Sequence, residues 1–437
     1  MKKHTNSNRV TPLATAQRSR TMHLIDELNY RGLIKDYSDE KEIRELLSTP
    51  QTIYCGFDPS AASMHIGNFV MISLLMRLQK AGHRVIPVVG GATGMIGDPS
   101  GKSKERNLLA GEELKSNTES IRAQLARFIN LDDPKKGILV NNHDWLSELS
   151  MLDYLRDYGK YFPINYLLNK EIIASRLESG ISYTEFSYNI LQAIDFLTLY
   201  RRYGCRIQVG GSDQWGNLTS GLELIRKIEG GDAKVGVMTS HLILDSNRRK
   251  FGKSENGALF LSPEVTSPYK LYQYFINVSD VDAIRYLKIF TFLTPDEIDN
   301  IALHHEKEPG KRLAQKTLAF EVVKIIHGQD KAEEAIKMSA SLFSGDFKNM
   351  SAKELVEILG DLEVEIEDGM ILEDALLVSK AASSKREARE FLASRSIFIN
   401  GEKAVDSNLH LESKKSMHGR YFVLRRGKKN YYLLKLK

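Results

Sequence analysis

The sequence predicts an α/β protein: a parallel sheet with helices on its faces, then an all-helical region, then a small basic α+β module. Three observations carry this. Short apolar runs at 52–57, 83–91 and 205–211 have the length and composition of buried strands, and longer helical patterns separate them. After Ser262 such runs give way to helix starts: Ser267-Pro268, and the capping-box patterns Thr294-Pro295-Asp296-Glu297 and Ser351-Ala352-Lys353-Glu354. Residues 376–437 carry 15 Lys/Arg against 5 Asp/Glu, a net +10, so with +5 overall the rest of the chain carries −5.

A chain of 437 residues has room for two to four domains. The expected division is an N-terminal extension at 1–21, a sheet domain at 22–262, a helical domain at 263–345, an acidic linker at 346–371 and the basic module at 372–437. No window approaches the roughly 18 apolar residues of a membrane span. Two cysteines, Cys55 and Cys205, suggest neither a disulfide framework nor a zinc site and point to a reducing compartment, the cytoplasm. Residues 1–21 have five Lys/Arg, no acid and no apolar core segment, so they do not read as a secretory signal. A disordered extension is the preferred reading, and an organelle transit segment stays open.

The apolar run 52–57 ends in the turn residues Asp58, Pro59 and Ser60. A helix follows at about 66–80, with Ile66, Val70, Leu74 and Leu78 four residues apart. His65, Gly67 and Asn68 therefore sit at a helix start beside a strand end, where free N–H groups and the helix dipole favour an anion. Gly67 allows close approach of a ligand, and His65 and Asn68 can donate to phosphate oxygens. The strand at 83–91 completes a βαβ unit. The glycine-rich loop after it is not a Walker A loop, because Ile96 stands where the first glycine must be, and it holds no G-x-G-x-x-G. Lys102, Lys104 and Arg106 on that loop could close over a pyrophosphate.

Residues 111–180 read as a helical insertion between sheet halves, with amphipathic segments at 116–130 and 145–155. A helix at 183–203 places Tyr188, Gln192 and Asp195 on one face, a polar stripe suited to a small ligand. After the strand at 205–211, Ser212, Asp213 and Gln214 open another helix at strand C-terminal ends, where open α/β sheets bind ligands. Residues 247–256, holding Lys250-Phe251-Gly252-Lys253-Ser254, read as a mobile polar loop. In the tail, Lys385, Arg386 and Arg389 share a helix face, Asn400-Gly401 signals a hairpin, and Arg425, Arg426 and Lys428 lie at a basic turn suited to phosphates. The acidic stretch 361–374 reads as a linker or edge segment.

His65-Ile66-Gly67-Asn68 with Lys250-Phe251-Gly252-Lys253-Ser254 resembles the signature pair of class I aminoacyl-tRNA synthetases. Tyr54-Cys55-Gly56-Phe57-Asp58-Pro59, the stretches 89–94 and 97–102, Thr184-Glu185-Phe186-Ser187-Tyr188 and residues 210–217 are similar to the bacterial-type tyrosyl branch. The likeness runs from about His23 to the end, and the tail is similar to a small RNA-binding module of a ribosomal protein and of pseudouridine synthases. The resemblance implies a Rossmann-like catalytic domain and a homodimer made through the insertion. It implies L-tyrosine, ATP with Mg²⁺ on its phosphates, and tRNA(Tyr) as partners, and no membrane.

The resemblance also implies site roles. His65, Asn68, Lys250, Lys253 and Ser254 would hold the triphosphate. Tyr54 and Asp195 would bind the phenolic hydroxyl, and Asp98, Tyr188 and Gln192 the ammonium. Gln208 and Gln214 would lie near the carboxylate and ribose, with Cys55, Gly56, Asp58, Gly67 and Asp213 on the ATP side. Lys102 and Arg106 would belong to a mobile loop, and Lys385, Arg386, Arg389, Arg425, Arg426 and Lys428 would contact RNA. Asn68 stands where the family usually has a second His and cannot carry its charge. Two alternatives remain: another nucleotidyl transferase with a His-x-Gly motif, and a catalytically idle RNA-binding relative.

Overall fold

The computed structural model describes residues 22–100, 111–177, 180–249, 251–254, 257–427 and 430–437. Its main sheet has six strands: β1 (Asp36–Tyr37), β2 (Thr52–Phe57), β3 (Arg84–Val89), β4 (Val140–Asn141), β5 (Cys205–Gly211) and β6 (Gly236–Ser240). They lie in the order β1-β6-β5-β2-β3-β4. Every neighbouring pair is parallel except β1 with β6.

Both faces of the sheet are covered, so the strands read as continuous apolar runs. Ile53, Cys55, Phe57, Val85, Val89, Ile207 and Val209 face one core, with the 68–80 helix. Tyr54, Ile86, Val88 and Val237 face the other, under the 183–203 and 215–229 helices. The chain runs outward from β2 to β3 and β4, then returns along the 183–203 helix to β5 on the far side of β2. That reversal is a topological switch point and opens a crevice at the strand C-terminal ends. The 183–203 helix is sharply bounded: Ser182 accepts the N–H of Glu185 at its start, and Gly204 adopts φ 64° at its end.

The insertion is less regular than its sequence pattern. The expected helix at 145–155 is broken into His143–Leu146 and a new start at Met151, because Ser150 caps a fresh turn by accepting from the N–H of Asp153. The insertion also contributes β4 to the sheet edge.

Five helices between Pro268 and Ser344 form the helical unit. The Ser267 cap and the Thr294–Glu297 capping box form as expected. Two buried arginines of the sheet domain bind this unit. Arg31 donates to the carbonyls of Lys288, Thr291 and Leu293 at the end of the 280–290 helix, and to Glu27 at 2.8 Å. Arg77 donates to the Thr291 carbonyl and lies 4.3 Å from the Phe292 ring centroid.

The C-terminal unit is a five-stranded sheet carrying the 385–393 helix. Asn400 at φ 49° and Gly401 at φ 84° make the tight turn between 397–399 and 402–403, as their sequence signals. Of the two readings of the acidic stretch, linker or edge segment, the structure has the edge. Glu363–Ile366 is an edge strand parallel to Asn430–Leu436, with Glu363 2.9 Å from Lys435. Strand pairing consumes its backbone groups, and its acids meet lysines that also pattern the tail. Tyr269 and Met338 of the helical unit share one apolar cluster with Phe347, Leu355, Tyr421 and Leu433.

The arginine joint sets a stability test. Arg31→Met should destabilise the chain by about 3 kcal/mol, because it strips donors from buried carbonyls. A denaturant midpoint equal to that of the unsubstituted chain would refute this.

Candidate active site

A cleft of about 600 Å³ opens at the switch point. Its walls come from the ends of β2, β3, β5 and β6, the 183–203 helix and the start of the 68–80 helix. Tyr54, Cys55, Gly56, Asp58, His65, Gly67, Asn68, Asp98, Tyr188, Gln192, Asp195, Asp213 and Gln214 all line it. Gln208 does not: it pairs with Tyr54 across β2 and β5, is buried, and points at the 215–229 helix near Gly221. It shares the sheet face of Tyr54 but lies against the 215–229 helix, its Oε1 buried without a hydrogen-bond partner.

One end of the cleft is deep and polar. Asp195 is 4% exposed, accepting from Trp145 Nε1 at 2.8 Å and Asn142 Nδ2 at 3.0 Å. Asn142 also donates to Thr93 Oγ1 and accepts from the N–H of Ala92. Burial pushes the Asp195 carboxyl up to about 7 despite these two donors. Beside it the Tyr54 hydroxyl is buried with no hydrogen-bond partner, and burial, then the Asp195 charge, pushes it well above its ordinary value. The cleft offers an acceptor and an unmet hydroxyl at the same place.

The next layer is a carboxylate pair. Asp58 accepts from Tyr188 Oη at 2.7 Å and from Thr93 Oγ1 at 2.8 Å. The Tyr188 hydroxyl spends its proton on Asp58, which leaves its oxygen able to accept, and Asp58 lies in the same network as the residues expected on the tyrosine side. Asp98 accepts from Gln214 Nε2 at 2.7 Å and from the N–H of Ser100 at 2.9 Å. Gln192 Oε1 is buried without a partner. Cys55 is a buried thiol on the wall, pushed up to about 12 by burial.

The mouth is built by the helix start. His65 N–H donates to Asn68 Oδ1 at 3.0 Å, and Asn68 N–H donates to His65 Nδ1 at 3.3 Å. With Nδ1 accepting, a neutral imidazole carries its proton on Nε2. Asn68 is thus a positional partner of His65 as well as a donor.

The second signature stretch docks on the first. Ile66 N–H donates to the Leu259 carbonyl, and Leu261 N–H to the Met64 carbonyl. Gly252 lies at φ 76°, where an added Cβ would stand 2.3 Å from Ile66 Cγ2, so this approach requires glycine. Phe251 is buried, stacked 4.8 Å from Phe290 among Tyr274, Phe275 and Tyr286. The loop expected to be mobile therefore has an aromatic anchor. That anchor was hidden in the sequence because one apolar residue has no periodicity. Lys253 and Ser254 form a short strand with Gly257–Ala258. Lys102, Lys104, Arg106, Lys250 and Lys428, like residues 1–21, lie outside the described residues.

Sequence reasoning missed Asn142 and Trp145, which carry no motif and reach Asp195 from the insertion. It also passed over Thr93, Ser100 and Asn217, although the stretches 89–94, 97–102 and 210–217 that hold them were singled out. In the C-terminal unit the expected basic residues are partly engaged. Arg389 pairs with Glu373 at 2.9 Å, Lys385 with Asp374 at 3.0 Å and Arg386 with Glu390 at 3.1 Å. Arg425 lies 3.9 Å over Phe398, and Arg426 donates to the Ala381 carbonyl. The first three side chains remain more than half exposed; the surface pairs of Lys385 with Asp374 and Arg386 with Glu390 are weak enough to exchange partners, whereas Arg389 holds the buried Glu373 by two hydrogen bonds.

Comparison with known proteins gives the same picture. A family model for class I tRNA synthetases (W and Y) matches residues 47–344, and one for the tyrosine–tRNA ligase SYY-like C-terminal domain matches 354–434. A tyrosine–tRNA ligase of Listeria monocytogenes serotype 4b is 47% identical over 419 residues, covering 95% of this chain and all of that protein. Tyrosine–tRNA ligase 1 of Bacillus licheniformis is 48% identical over 420 residues, with the same coverage. The crystal structure of a C-terminally truncated mitochondrial tyrosyl-tRNA synthetase from Aspergillus nidulans has 32% identity and a TM-score of 0.67, covering 74% of this chain and 94% of that one. The chain belongs to the tyrosine–tRNA ligase family of class I tRNA synthetases.

Proposed function

We propose that this chain activates L-tyrosine with ATP and then transfers it to the terminal adenosine of tRNA(Tyr). The observation that carries the tyrosine assignment is the Tyr54–Asp195 pair at the closed end of the cleft. A phenol entering there would donate to Asp195 and meet the Tyr54 hydroxyl, whereas phenylalanine would leave both without that partner.

In the first step a tyrosine carboxylate oxygen bonds to the α-phosphorus of ATP, and the bond to pyrophosphate breaks. No side-chain nucleophile is needed, so positioning and charge stabilisation carry the catalysis. The phenol end is held by Asp195 and Tyr54. Asp98, Tyr188 and Gln192 would bind the ammonium, the Tyr188 oxygen accepting from it while its proton goes to Asp58. At the mouth the His65 Nε2–H and the start of the 68–80 helix meet the phosphates. Lys250, Lys253 and Ser254 complete this reading from the family pattern. Among the described residues no group of three or more His, Cys, Asp or Glu could hold a metal ion. Mg²⁺ would travel with the triphosphate, neutralising its oxygens. In the second step the terminal ribose hydroxyl of the tRNA attacks the adenylate carbonyl and AMP leaves.

The exposed cations of the C-terminal unit suit RNA phosphates. Met151, Leu152 and Ile164 on the insertion, and Tyr183 at the start of the 183–203 helix, are each more than 60% exposed. Such a surface fits a second copy of the chain. Both cysteines are free and buried, as suits the cytoplasm.

Tyrosine-dependent ATP–pyrophosphate exchange tests the function: exchange with tyrosine and not phenylalanine is expected, and equal exchange with both would refute it. In the same assay Asp195→Asn should lose most tyrosine activation. Tyrosine affinity should fall as pH drops through about 7, because protonation removes the charged acceptor, and this fall should be absent in Asp195→Asn. A pH profile unchanged by the substitution would count against Asp195 as the phenol's acceptor.

Ending the chain after Gly345, rather than within the C-terminal sheet, should keep exchange and abolish tRNA charging. Undiminished charging at physiological salt would contradict the RNA role of the tail.

Sedimentation should give a dimer that Met151→Glu with Leu152→Glu dissociates. An active monomer for the unsubstituted chain at micromolar concentration would exclude this surface as an obligatory interface.

A further inference from the structure

Asn217 ends the stretch 210–217, and nothing in the reaction described above uses it. It is fully buried, on the first turn of the 215–229 helix. Its Nδ2 donates to Gln214 Oε1 at 3.0 Å and to Ser100 Oγ at 3.2 Å. Its Oδ1 accepts from Asn189 Nδ2 at 2.9 Å, across the gap to the 183–203 helix. Gln214 and Ser100 also donate to Asp98, through Nε2 and the backbone N–H. One buried amide therefore holds two residues that donate to the cleft carboxylate.

The direction of this chain is forced. Ionised Asp98 can only accept, so Gln214 must turn its NH₂ toward it. Gln214 Oε1 then faces away and needs a donor, which Asn217 supplies. Asn217 Oδ1 in turn needs a donor, which Asn189 supplies. Turning any of the amides over would set NH₂ against NH₂ or oxygen against oxygen in a buried site.

We propose that Asn217 is a positioning residue for tyrosine activation: with Asn189 behind it, it fixes the Gln214 amide and thereby aims Asp98 at the ammonium of the bound amino acid. This rests on the reading of Asp98 as the ammonium's acceptor. The ligand group whose binding depends on Asn217 is then the ammonium, not the phenol and not the nucleotide.

The test uses the full chain and three probes: L-tyrosine, 3-(4-hydroxyphenyl)propanoate, which lacks the ammonium, and ATP. Asn217→Leu, of similar size without hydrogen bonds, should weaken tyrosine roughly tenfold and leave the other two unchanged. Asn217→Ser, smaller and with one donor, should show a weaker loss of the same selectivity and is the variant to read if Asn217→Leu does not fold. Equal weakening of tyrosine and its des-amino analogue would mean a merely structural role, and no weakening would mean none; either overturns the proposal. Asp98→Asn separates the two levels. Selective loss of tyrosine there, with no selective loss at Asn217, overturns only the positioning role. No selective loss at Asp98 overturns the ammonium reading and the proposal with it.

Discussion

The structure depends on a short backbone ladder between Met64–Ile66 and the segment 259–261. Two N–H···O=C bonds and the bare Cα of Gly252 against Ile66 hold the first signature stretch to the second. The ladder is possible because Phe251 is locked among the aromatic rings of the helical unit, so the loop reaches the sheet domain from a fixed base. Arg31 and Arg77 keep that base in place by donating to carbonyls at the end of the 280–290 helix. A loop that handles phosphates must move, and a loop that moves must be hinged on something rigid. Here the rigid part is an aromatic core and two buried guanidinium groups.

The cleft shows how much polar chemistry a buried site can hold. Asp195 would be costly to ionise alone, and two side-chain donors offset part of that cost without cancelling it. The group is therefore poised near neutrality rather than held firmly charged. Asp58 accepts from Thr93 and Tyr188, and Asp98 from Ser100 and Gln214. Thr93 and Asn142 tie Asp58 to Asp195, and Asn217 ties the surroundings of Asp98 to the helix behind. The pocket's specificity thus belongs to a connected set of acceptors whose donors come from five different stretches of chain.

The C-terminal unit meets the helical unit through a shared apolar cluster, and Tyr431 donates to the Leu342 carbonyl at 2.9 Å. A segment whose acidity suggested a linker or an edge segment is an edge strand of that unit. Its acids neutralise lysines on the neighbouring strand and leave more exposed cations, such as Arg386 and Arg389, toward solvent.

Much was legible in the sequence, because periodicity and turn chemistry are local. The three long parallel strands at 52–57, 84–89 and 205–211, the helix starts at Asn68 and Tyr183, the capping boxes and the Asn400-Gly401 hairpin all follow from neighbouring residues. So does the gathering of Tyr188, Gln192 and Asp195 on one helix face. What the sequence could not determine is what lies across from each of these. Asn142 and Trp145 reach Asp195 only because β4 joins the sheet edge; Gln208, on the same sheet face as Tyr54, stays out of the cleft because it lies against the 215–229 helix. Phe251 became an anchor only once the helical unit stood beside it. Local rules set which groups a stretch can present, while the unmet lone pairs and N–H groups of a buried site are satisfied across the fold, by residues that no spacing along the chain brings together.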